Sequence, residues 1–392
     1  MSKLDELIQE LCPDGVVYKK LGDLIKIEKG KQLNKTHLFD KYEENLYPVI
    51  NGGISPSGFW NEYNYSENLI TISQGGASAG YVNYIKTKFW AGAHCYIVAS
   101  VNDDIIYRYI YHFLKSKEIE LKNSQVGAGI PSVSLKDINS LRFPVPPLEV
   151  QCEIVRILDK FTLLTAELTA ELTAELTARR KQYEYYRKKL FEEVVEKSEI
   201  MKIQDISKNI SSGGTPSTSI TEYYNGEIPW LRTQEVNFNE IWDTKVKITN
   251  LALQNSSVKM IPANCVIVAM YGATVGRAGI NKIPLTTNQA CCNIEINEIK
   301  ANYKYLFYWL LEKYDHIKSL GQGSQTNINS NIIKKLELPI PSLQEQIKIV
   351  DILDRFDKLC NDITSGLPAE IELNNKRYEY YRDKLLTFKE KK

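Results

Sequence analysis

The sequence predicts an α+β protein in which two α/β blocks alternate with two long helical segments, as a pseudo-two-fold internal repeat. Three observations predict this fold. A segment of more than 40 residues returns at a constant spacing of 195 residues. Both copies have the apolar spacing of a helix. The stretches outside them are rich in glycine, tyrosine and β-branched residues, which is typical of strands joined by turns.

The repeat is carried by two motifs. Residues 141–148, L-R-F-P-V-P-P-L, return as residues 336–343, L-E-L-P-I-P-S-L. Residues 181–187, K-Q-Y-E-Y-Y-R, return at the same shift as residues 376–382, K-R-Y-E-Y-Y-R. Because the same shift holds for both motifs, neither copy contains an insertion relative to the other.

The first helical segment has no glycine or proline from residue 148 to about residue 195. About 45 helical residues would span roughly 65–70 Å, which predicts a spacer or a dimerising rod. This copy contains T-A-E-L three times, whereas the second copy keeps only the apolar positions. A slipped repeat with a solvated polar face remains an alternative. Gly366 and Pro368 predict a kink or a break in the second segment.

The blocks between the helical segments share an order of elements. Strands predicted at 69–73 and 265–270 run into glycine-rich loops, a tyrosine-rich helix follows at 107–114 and 303–311, and a second glycine loop precedes each P-x-P motif. The second block carries about 13 extra residues. The predicted domains are 1–147, beginning with a short amphipathic helix, 148–198, 199–341 and 342–392.

Composition excludes several classes of protein. With 49 Lys+Arg against 48 Asp+Glu, the net charge of +1 excludes a strongly basic, histone-like binder, so contact with nucleic acid would need local patches. No apolar run approaches the ~18 residues that span a bilayer. The start of the chain does not read as a secretion signal, and seven scattered cysteines without C-x-x-C fit a reducing cytoplasm.

The repeated motifs resemble the specificity (S) subunits of type I restriction-modification enzymes. The resemblance rests on the paired P-x-P-x-L-x-x-Q-x-x-I-V-x-I-L-D segments, the T-A-E-L tandem, the Y-E-Y-Y-R signatures, and the loops S-S-G-G-T-P (211–216) and G-x-x-x-G (272–276). It covers essentially the whole chain. The first block departs from the pattern, because Lys29-Gly30-Lys31 stands where the second block has the S-G-G-T-P loop.

The resemblance implies a division of labour. Two target-recognition domains would each read one half of a split double-stranded DNA site. Two helical regions would pack as an antiparallel coiled coil and set the gap between the half-sites. Two methyltransferase (M) subunits would dock on the chain, and restriction (R) subunits would join them.

The sequence contains no catalytic constellation. It lacks a P-loop, a G-x-G cofactor turn and an N-P-P-Y-like methyltransferase motif, and its four histidines have no metal-ligand spacing. We therefore expect a non-enzymatic subunit without cofactors of its own, with S-adenosylmethionine, ATP and Mg²⁺ on partner subunits. Two other functions are alternatives. One is a coiled-coil adaptor that binds proteins, and the other is a fused restriction-methylation enzyme, for which the chain is too short.

The candidate DNA-binding residues are side chains suited to base edges or phosphates on and around the glycine-rich loops. Each loop could instead be an ordinary turn. The candidates are Lys29, Lys31, Gln74, Ser78, Tyr81, His94, Gln125, Thr215, Arg232, Gln234, Tyr271, Thr274, Arg277, Asn288, Gln289, Gln322, Gln325 and Asn327.

The candidate partner-binding residues belong to the two Y-E-Y-Y-R signatures. On a helix, Tyr183 and Tyr186 share a face while Tyr185 points elsewhere, so one seam cannot bury all three. Exposed tyrosine and arginine are favoured at interfaces. The alternative is an aromatic cap that closes the helix on its own domain. The candidates are Tyr183, Tyr185, Tyr186, Arg187, Tyr378, Tyr380, Tyr381 and Arg382.

Overall fold

The computed structural model describes residues 2–34, 36, 38–123, 132–321, 327–362 and 364–391. Contacts between residues divide the chain into two compact units. Unit 1 comprises Met1–Glu171 and Ile371–Lys392, and unit 2 comprises Leu172–Glu370. Each unit therefore combines one α/β block with parts of both helical segments.

Unit 1 contains two sheets, a short two-stranded pairing and four helices before the first long segment. The strands are β1 (Val17–Lys20), β2 (Ile25–Lys29), β3 (Tyr47–Ile50), β4 (Phe59–Trp60), β5 (Leu69–Ser73), β6 (Val82–Ile85), β7 (Trp90–Ala91), β8 (Cys95–Val101) and β9 (Arg142–Val145). The helices are α1 (Lys3–Leu11), α2 (Tyr107–Ser116), α3 (Glu118–Asn123) and α4 (Leu135–Ser140). Strand order is β2-β8-β5-β6 in one sheet and β4-β3-β7 in the other, and β1 pairs with β9.

Helix α5 (Leu148–Val195) begins in unit 1 and continues into unit 2. The strands that follow it are β10 (Glu199–Lys202), β11 (Ser207–Ser212), β12 (Tyr224–Leu231), β13 (Asn239–Ile241), β14 (Lys247–Ile248), β15 (Met260–Ile261), β16 (Val266–Ala269), β17 (Ala278–Asn281), β18 (Leu285–Thr287), β19 (Cys291–Ile296) and β20 (Glu337–Ile340). The helices are α6 (Ile203–Ile206), α7 (Asn250–Asn255), α8 (Tyr303–Glu312), α9 (Tyr314–Ser319), α10 (Ser330–Lys334), α11 (Leu343–Asn361) and α12 (Leu367–Leu385).

The sheets of unit 2 repeat those of unit 1 with two additions. Strand order is β11-β19-β16-β17-β13 in the larger sheet and β14-β12-β18-β15 in the other, while β10 pairs with β20. The strand β13 pairs in parallel with β17 at the edge of the larger sheet, and β15 pairs with β18 at the edge of the other sheet. The described residues of unit 1 form four and three strands in the corresponding sheets. The extra residues of the second block therefore include an additional edge strand.

The helical predictions are confirmed, including the break in the second segment. The 48 residues of α5 form one uninterrupted helix. The second segment forms two 19-residue helices, α11 and α12. A Cβ on Gly366 would lie 2.6 Å from the carbonyl oxygen of Lys358, so this close approach requires glycine. Pro368 is the second residue of α12, where a missing N–H breaks no intrahelical bond.

In unit 1 the two helical segments run antiparallel. The hydroxyl oxygens of Thr162 and Tyr378 lie 2.9 Å apart, and Asn374 Nδ2 donates to the carbonyl of Thr165 at 3.1 Å. The residue number rises along one helix as it falls along the other. The ring of Phe161 packs 5.9 Å from that of Tyr378.

Unit 2 makes the corresponding pairing with its own residues. Arg180 donates to the carbonyl of Cys360 at 3.5 Å, and the ring of Tyr183 stacks on that of Phe356 at 6.0 Å. Under the 195-residue shift Phe356 corresponds to Phe161, and Tyr183 corresponds to Tyr378. The same aromatic pair is therefore formed twice, with the roles of the two segments exchanged.

A buried glutamine joins each α/β block to its helix. In unit 1, Gln151 is fully buried on the first turn of α5. Its amide donates to the carbonyls of Pro146 at 2.8 Å and Asp104 at 2.9 Å, and its oxygen accepts from the N–H of Ile106 at 2.9 Å. One side chain thus satisfies three backbone groups, including one at the start of α2.

The equivalent residue of unit 2 repeats this arrangement. Gln346 is fully buried on α11 and donates to the carbonyl of Pro341 at 2.9 Å. It also donates to the carbonyl of Lys300 at 3.4 Å and accepts from the N–H of Asn302 at 2.8 Å. This glutamine is the Q of the repeated P-x-P-x-L-x-x-Q motif.

About two helical turns further along, an aspartate binds two side chains of the facing helix. In unit 1, Asp159 Oδ1 lies 2.8 Å from both Arg108 Nε and His112 Nε2. Burial lowers the pKa of His112 to about 4, although the hydrogen bond to the Asp159 carboxylate opposes the shift. The neutral imidazole therefore donates to the carboxylate at neutral pH.

Unit 2 has different side chains in the same places. Asp354 accepts from Lys304 Nζ at 2.8 Å and from the hydroxyl of Tyr308 at 2.5 Å. Burial and the hydrogen bond to the carboxylate raise the pKa of Tyr308, so the phenol stays protonated. The contact between helix and block is preserved while both partners of the aspartate are exchanged.

Replacing Gln151 or Gln346 by alanine should destabilise the unit concerned by about 3 kcal/mol, because three backbone groups lose their partner. Hydrogen exchange of α2 for Gln151→Ala, and of α8 for Gln346→Ala, measures the effect. Gln344→Ala, an exposed residue of α11, is the matched control and should change neither helix. Equal protection in all three variants would contradict the assignment.

The stability of unit 1 should fall as the pH drops from about 6.5 to about 4. The unfolded histidine binds its proton near pH 6.5, whereas buried His112 binds it only near pH 4, so protons favour the unfolded state in this window. The full contribution of about 3 kcal/mol is present above pH 6.5. Hydrogen exchange of α2 against pH should show a weaker dependence in His112→Gln, whereas His316→Gln, at an exposed position, should behave as wild type.

Candidate nucleic-acid interface

The loops of unit 1 that carry the predicted DNA contacts gather at one edge of its larger sheet. The strands β2 and β5 end at this edge, and β6 and β8 begin there, because neighbouring strands are antiparallel. The structure thus brings six predicted residues to one edge: Lys29, Lys31, Gln74, Ser78, Tyr81 and His94.

Backbone hydrogen bonds hold these loops together. Gly30 N–H donates to the carbonyl of Cys95 at 2.9 Å, and Lys31 N–H donates to that of Ala91 at 2.8 Å. Gln74 N–H donates to the carbonyl of His94 at 2.9 Å. The side chains of the two lysines and of His94 remain exposed, so cations and an imidazole project from this edge.

Unit 2 gathers its predicted residues in the same way. The strands β11 and β16 end, and β17 and β19 begin, at one edge of the five-stranded sheet. The end of β12 joins them through the N–H of Asn288, which donates to the carbonyl of Leu231 at 2.9 Å. Nine predicted residues lie there: Thr215, Arg232, Gln234, Tyr271, Thr274, Arg277, Asn288, Gln289 and Asn327.

The two edges share a backbone scaffold. Gly76 and Gly272 have φ of +82° and +80°, and a Cβ at either position would meet no atom within 4 Å. Four residues later, Gly80 and Gly276 have φ of +85° and +81°. These left-handed conformations favour glycine and produce the same loop in both units, with its tip open. Side chains can therefore differ between the loops without changing their path.

The loop of the first block that departs from the S-G-G-T-P pattern nevertheless occupies the corresponding place. A Cβ on Gly30 would lie 2.2 Å from the carbonyl oxygen of Gly92, and one on Gly213 would lie 2.0 Å from that of Thr287. Each loop follows the first strand of its sheet and requires glycine where backbone approaches backbone. The first-block loop therefore differs in sequence but keeps the position and the close backbone contact of the second-block loop.

Several side chains of the unit 2 edge are held by neighbours. Arg277 Nη1 donates to Asn237 Oδ1 at 2.7 Å, and the Thr274 hydroxyl donates to the carbonyl of Thr233 at 2.9 Å. Thr215 donates to the side-chain oxygen of Gln289. These contacts orient the polar groups before any ligand arrives.

Three predicted residues carry a buried polar atom that finds no hydrogen-bond partner among the residues that the structure describes. They are Gln74 Oε1, Arg232 Nε and Asn327 Oδ1. In unit 1, Lys115 Nζ lies 4.3 Å from the ring centroid of Tyr81, and burial raises the pKa of that tyrosine. Gln125, Gln322 and Gln325 lie outside the described residues.

One residue at the edge was missed by the sequence analysis. Asn51 directly follows β3, as Arg232 directly follows β12. Each of these strands pairs in parallel with a short strand of its own unit, β3 with β7 and β12 with β18. Asn51 Oδ1 accepts from the N–H of His94 at 3.3 Å, which ties this loop to the edge. The sequence does contain a signal for Asn51. Residues 47–51, Y-P-V-I-N, and residues 228–232, I-P-W-L-R, share a proline three residues before Asn51 and Arg232.

The tyrosines of the two signatures separate into buried and exposed members. Tyr183 is only 5% exposed, whereas Tyr185 and Tyr380 are 61% and 62% exposed. Tyr183 and Tyr186 both stack on Phe356, which confirms their predicted common face.

The remaining signature residues contact their own unit. Tyr378 and Tyr381 both pack against Phe161. Arg187 pairs with Glu312 at 2.9 Å, and Arg382 pairs with Asp383 at the same distance. The aromatic cap that the sequence left as an alternative is thus formed by part of each signature, while Tyr185 and Tyr380 remain available.

Among the described residues, no cluster of His, Cys, Asp and Glu side chains is arranged to hold a metal ion. Within the same residues, no helix combines the length and apolarity that a bilayer span requires.

Comparisons with known proteins identify the family. The model of the type I restriction modification DNA specificity domain matches twice, at residues 13–178 and 195–373. The chain is 33% identical to the type I restriction enzyme EcoR124I/EcoR124II specificity subunit of Escherichia coli, covering 99% of this chain and 98% of that relative. It is 35% identical to the putative type I restriction enzyme specificity subunit S.HindORF215P of Haemophilus influenzae, covering 83% and 84%.

Solved structures share the fold. The S subunit of a type I restriction-modification system from Mycoplasma genitalium aligns with a TM-score of 0.53 at 18% identity, over 95% of this chain and 96% of that one. A chain from the assembly of a type I restriction-modification system aligns with a TM-score of 0.63 at 15% identity, over 96% and 98%. The predicted α+β fold class is confirmed, and the chain belongs to the type I restriction-modification DNA specificity subunits.

Proposed function

We propose that this chain is the DNA-recognition subunit of a type I restriction-modification complex and that each unit reads one half of a bipartite double-stranded DNA site. The observation that carries the proposal is the pair of matched loop edges, which share a backbone scaffold but present different side chains. Arginine suits guanine and asparagine or glutamine suits adenine in the major groove, so unlike edges favour unlike half-sites.

The proposal assigns catalysis to partners. Two M subunits would bind S-adenosylmethionine, and R subunits would use ATP and Mg²⁺, in the cytoplasm where the DNA lies. The near-zero net charge supports this division, because phosphate attraction by this chain alone would be modest and salt-dependent. The helical segments would set the gap between the half-sites.

Substituting Arg277 by alanine should weaken recognition at one position of the second half-site by about 1–3 kcal/mol, because the proposed bidentate contact to a base is lost. Gln74→Ala should affect only the first half-site. Mapping of methylated motifs with the assembled complex measures both. Arg355→Ala, an exposed residue of α11, is the control. If all variants bound DNA without regard to its sequence, the result would favour a protein-binding adaptor instead.

Deleting residues 169–172, one T-A-E-L repeat, should shorten the gap between the half-sites and leave the half-sites unchanged. Four helical residues correspond to about 6 Å, between one and two base-pair rises. The control replaces the same residues by A-A-A-L and keeps the length. Methylation mapping that showed altered half-sites would contradict the spacer role.

Replacing Tyr185 and Tyr380 by alanine should weaken assembly with the M subunit, because both rings are about 60% exposed and exposed tyrosines are favoured at interfaces. Gel filtration of the mixed subunits measures the complex. Tyr42→Ala, at a comparably exposed tyrosine of the first block, is the matched control. Wild-type assembly by the Tyr185→Ala and Tyr380→Ala variants would remove these residues from the interface.

A further inference from the structure

The strand β13 has no counterpart among the described residues of unit 1, and it begins at the loop edge of unit 2. It pairs in parallel with β17, with Asn239 opposite Gly279. The same register, continued two residues back, sets Asn237 opposite Arg277, the residue that follows the G-x-x-x-G loop. Asn237 Oδ1 accepts from Arg277 Nη1 at 2.7 Å. A strand added in the second block thus supplies the hydrogen-bond partner of a candidate base-reading side chain.

The backbone on both sides of Asn237 is anchored. The Asn237 N–H donates to Asn239 Oδ1 at 2.8 Å, and the N–H of Phe238 donates to the carbonyl of Ala278 at 2.8 Å. Val236, the residue before, is fully buried in a hydrophobic core of the block. Because the asparagine side chain is short and its backbone is anchored, its amide oxygen cannot move far from the arginine.

Phe238 adopts a backbone conformation that a bulky residue rarely takes. Its φ is +54°, in the left-handed region that favours glycine. Its ring packs edge-on against the ring of Tyr314, 5.1 Å away, and a Cβ on Gly276 would lie 3.4 Å from the same tyrosine. The packing of this ring holds the unfavourable turn, and the turn sets Asn237 beside Arg277. Strain of this kind persists where the surroundings enforce it, and it is concentrated at functional sites.

The other end of β13 is tied to the joint between block and helix. Glu240 Oε1 lies 3.6 Å from Lys304 Nζ, which donates to Asp354 of α11 at 2.8 Å. Ile241 is 3% exposed and belongs to the same core as Leu231. The strand is therefore anchored at both ends, and its first residues cannot shift along the sheet without breaking these contacts.

Unit 1 holds the corresponding residue in another way. Tyr81 follows Gly80 as Arg277 follows the second glycine of its own loop. Lys115 Nζ of α2 lies 4.3 Å from the Tyr81 ring centroid and donates to the carbonyl of Val82 at 3.0 Å. The position after the second loop glycine thus differs between the units both in its side chain and in the element that holds it.

The bond to Asn237 leaves Arg277 suited to one base. It engages Nη1, so Nε and Nη2 form the edge of the guanidinium that remains for DNA. Guanine offers two acceptors in the major groove, O6 and N7, whereas adenine has a donor in place of O6. An arginine without a holding partner could turn to a phosphate, which carries no sequence information. Holding one orientation before DNA arrives also lowers the entropic cost of the contact.

We propose that Asn237, presented by the added strand β13, is a positioning residue that sets the specificity of unit 2 by holding Arg277 towards a guanine of the second half-site. This rests on the proposed function, since it takes double-stranded DNA as the ligand. Asn237 acts through the arginine and makes no contact with the base itself.

The test uses the complex assembled with its M subunits, after mapping of methylated motifs has defined the site. Binding is measured with a duplex that carries this site and with duplexes in which each base pair of the second half-site is replaced in turn. Asn237→Ala should lower discrimination at one G·C pair by about tenfold and leave discrimination at the other pairs unchanged. Asn209→Ala, an exposed asparagine on the opposite edge strand β11, is the matched control and should discriminate as wild type.

Two further variants separate positioning from a merely structural role. Asn237→Asp keeps an acceptor for the guanidinium, so it should retain discrimination at the G·C pair, while its negative charge weakens binding to every duplex alike. Asn237→Ala combined with Arg277→Ala should discriminate no worse than Arg277→Ala alone, because the asparagine acts through the arginine.

Three results would overturn the positioning role and leave the proposed function intact. They are wild-type discrimination by Asn237→Ala, an equal loss of its affinity for all duplexes, and effects of the two alanine substitutions that add in the double variant. A wild-type complex that bound all the duplexes equally would instead contradict the proposed function itself.

Discussion

The attachment of each α/β block to its helix depends on one buried glutamine. An uncharged side chain that both donates and accepts can satisfy the carbonyl of the P-x-P turn, a loop carbonyl and the N–H at the start of the following helix at once. A rigid joint of this kind is needed if a long helix is to hold a reading surface at a defined position. Its repetition at Gln346 shows that the joint was duplicated along with the helix.

Around this joint, the two units have different side chains but keep the same contacts. Beside the glutamine, histidine and arginine on α2 are exchanged for tyrosine and lysine on α8, yet each pair binds the aspartate of its helix. At the loop edges, glycines in left-handed conformations or at backbone crossings keep the path of the chain, and the residues between them vary. Fixed backbone and variable side chains suit a surface whose task is to distinguish sequences.

The aromatic signatures show how one motif can do two things. Tyr183 and Tyr186 pack on Phe356, and their counterparts pack on Phe161, so half of each signature holds the helices of its own unit together. A helix cannot turn consecutive residues towards one face, so Tyr185 and Tyr380 are left exposed. The same geometry that closes the unit therefore leaves one ring of each signature exposed on the surface.

The fold class, the repeat, the uninterrupted α5, the break before α12 and the family could all be predicted from the sequence. They follow from periodicity, from the positions of glycine and proline, and from motifs that are local in the chain. Only the tertiary structure decided which polar residues meet. The edge strand β13, the place of Asn51 and the equivalence of Gly30 with Gly213 all depend on contacts between residues far apart in sequence. Such contacts are set by the packing of whole elements, which no local pattern records.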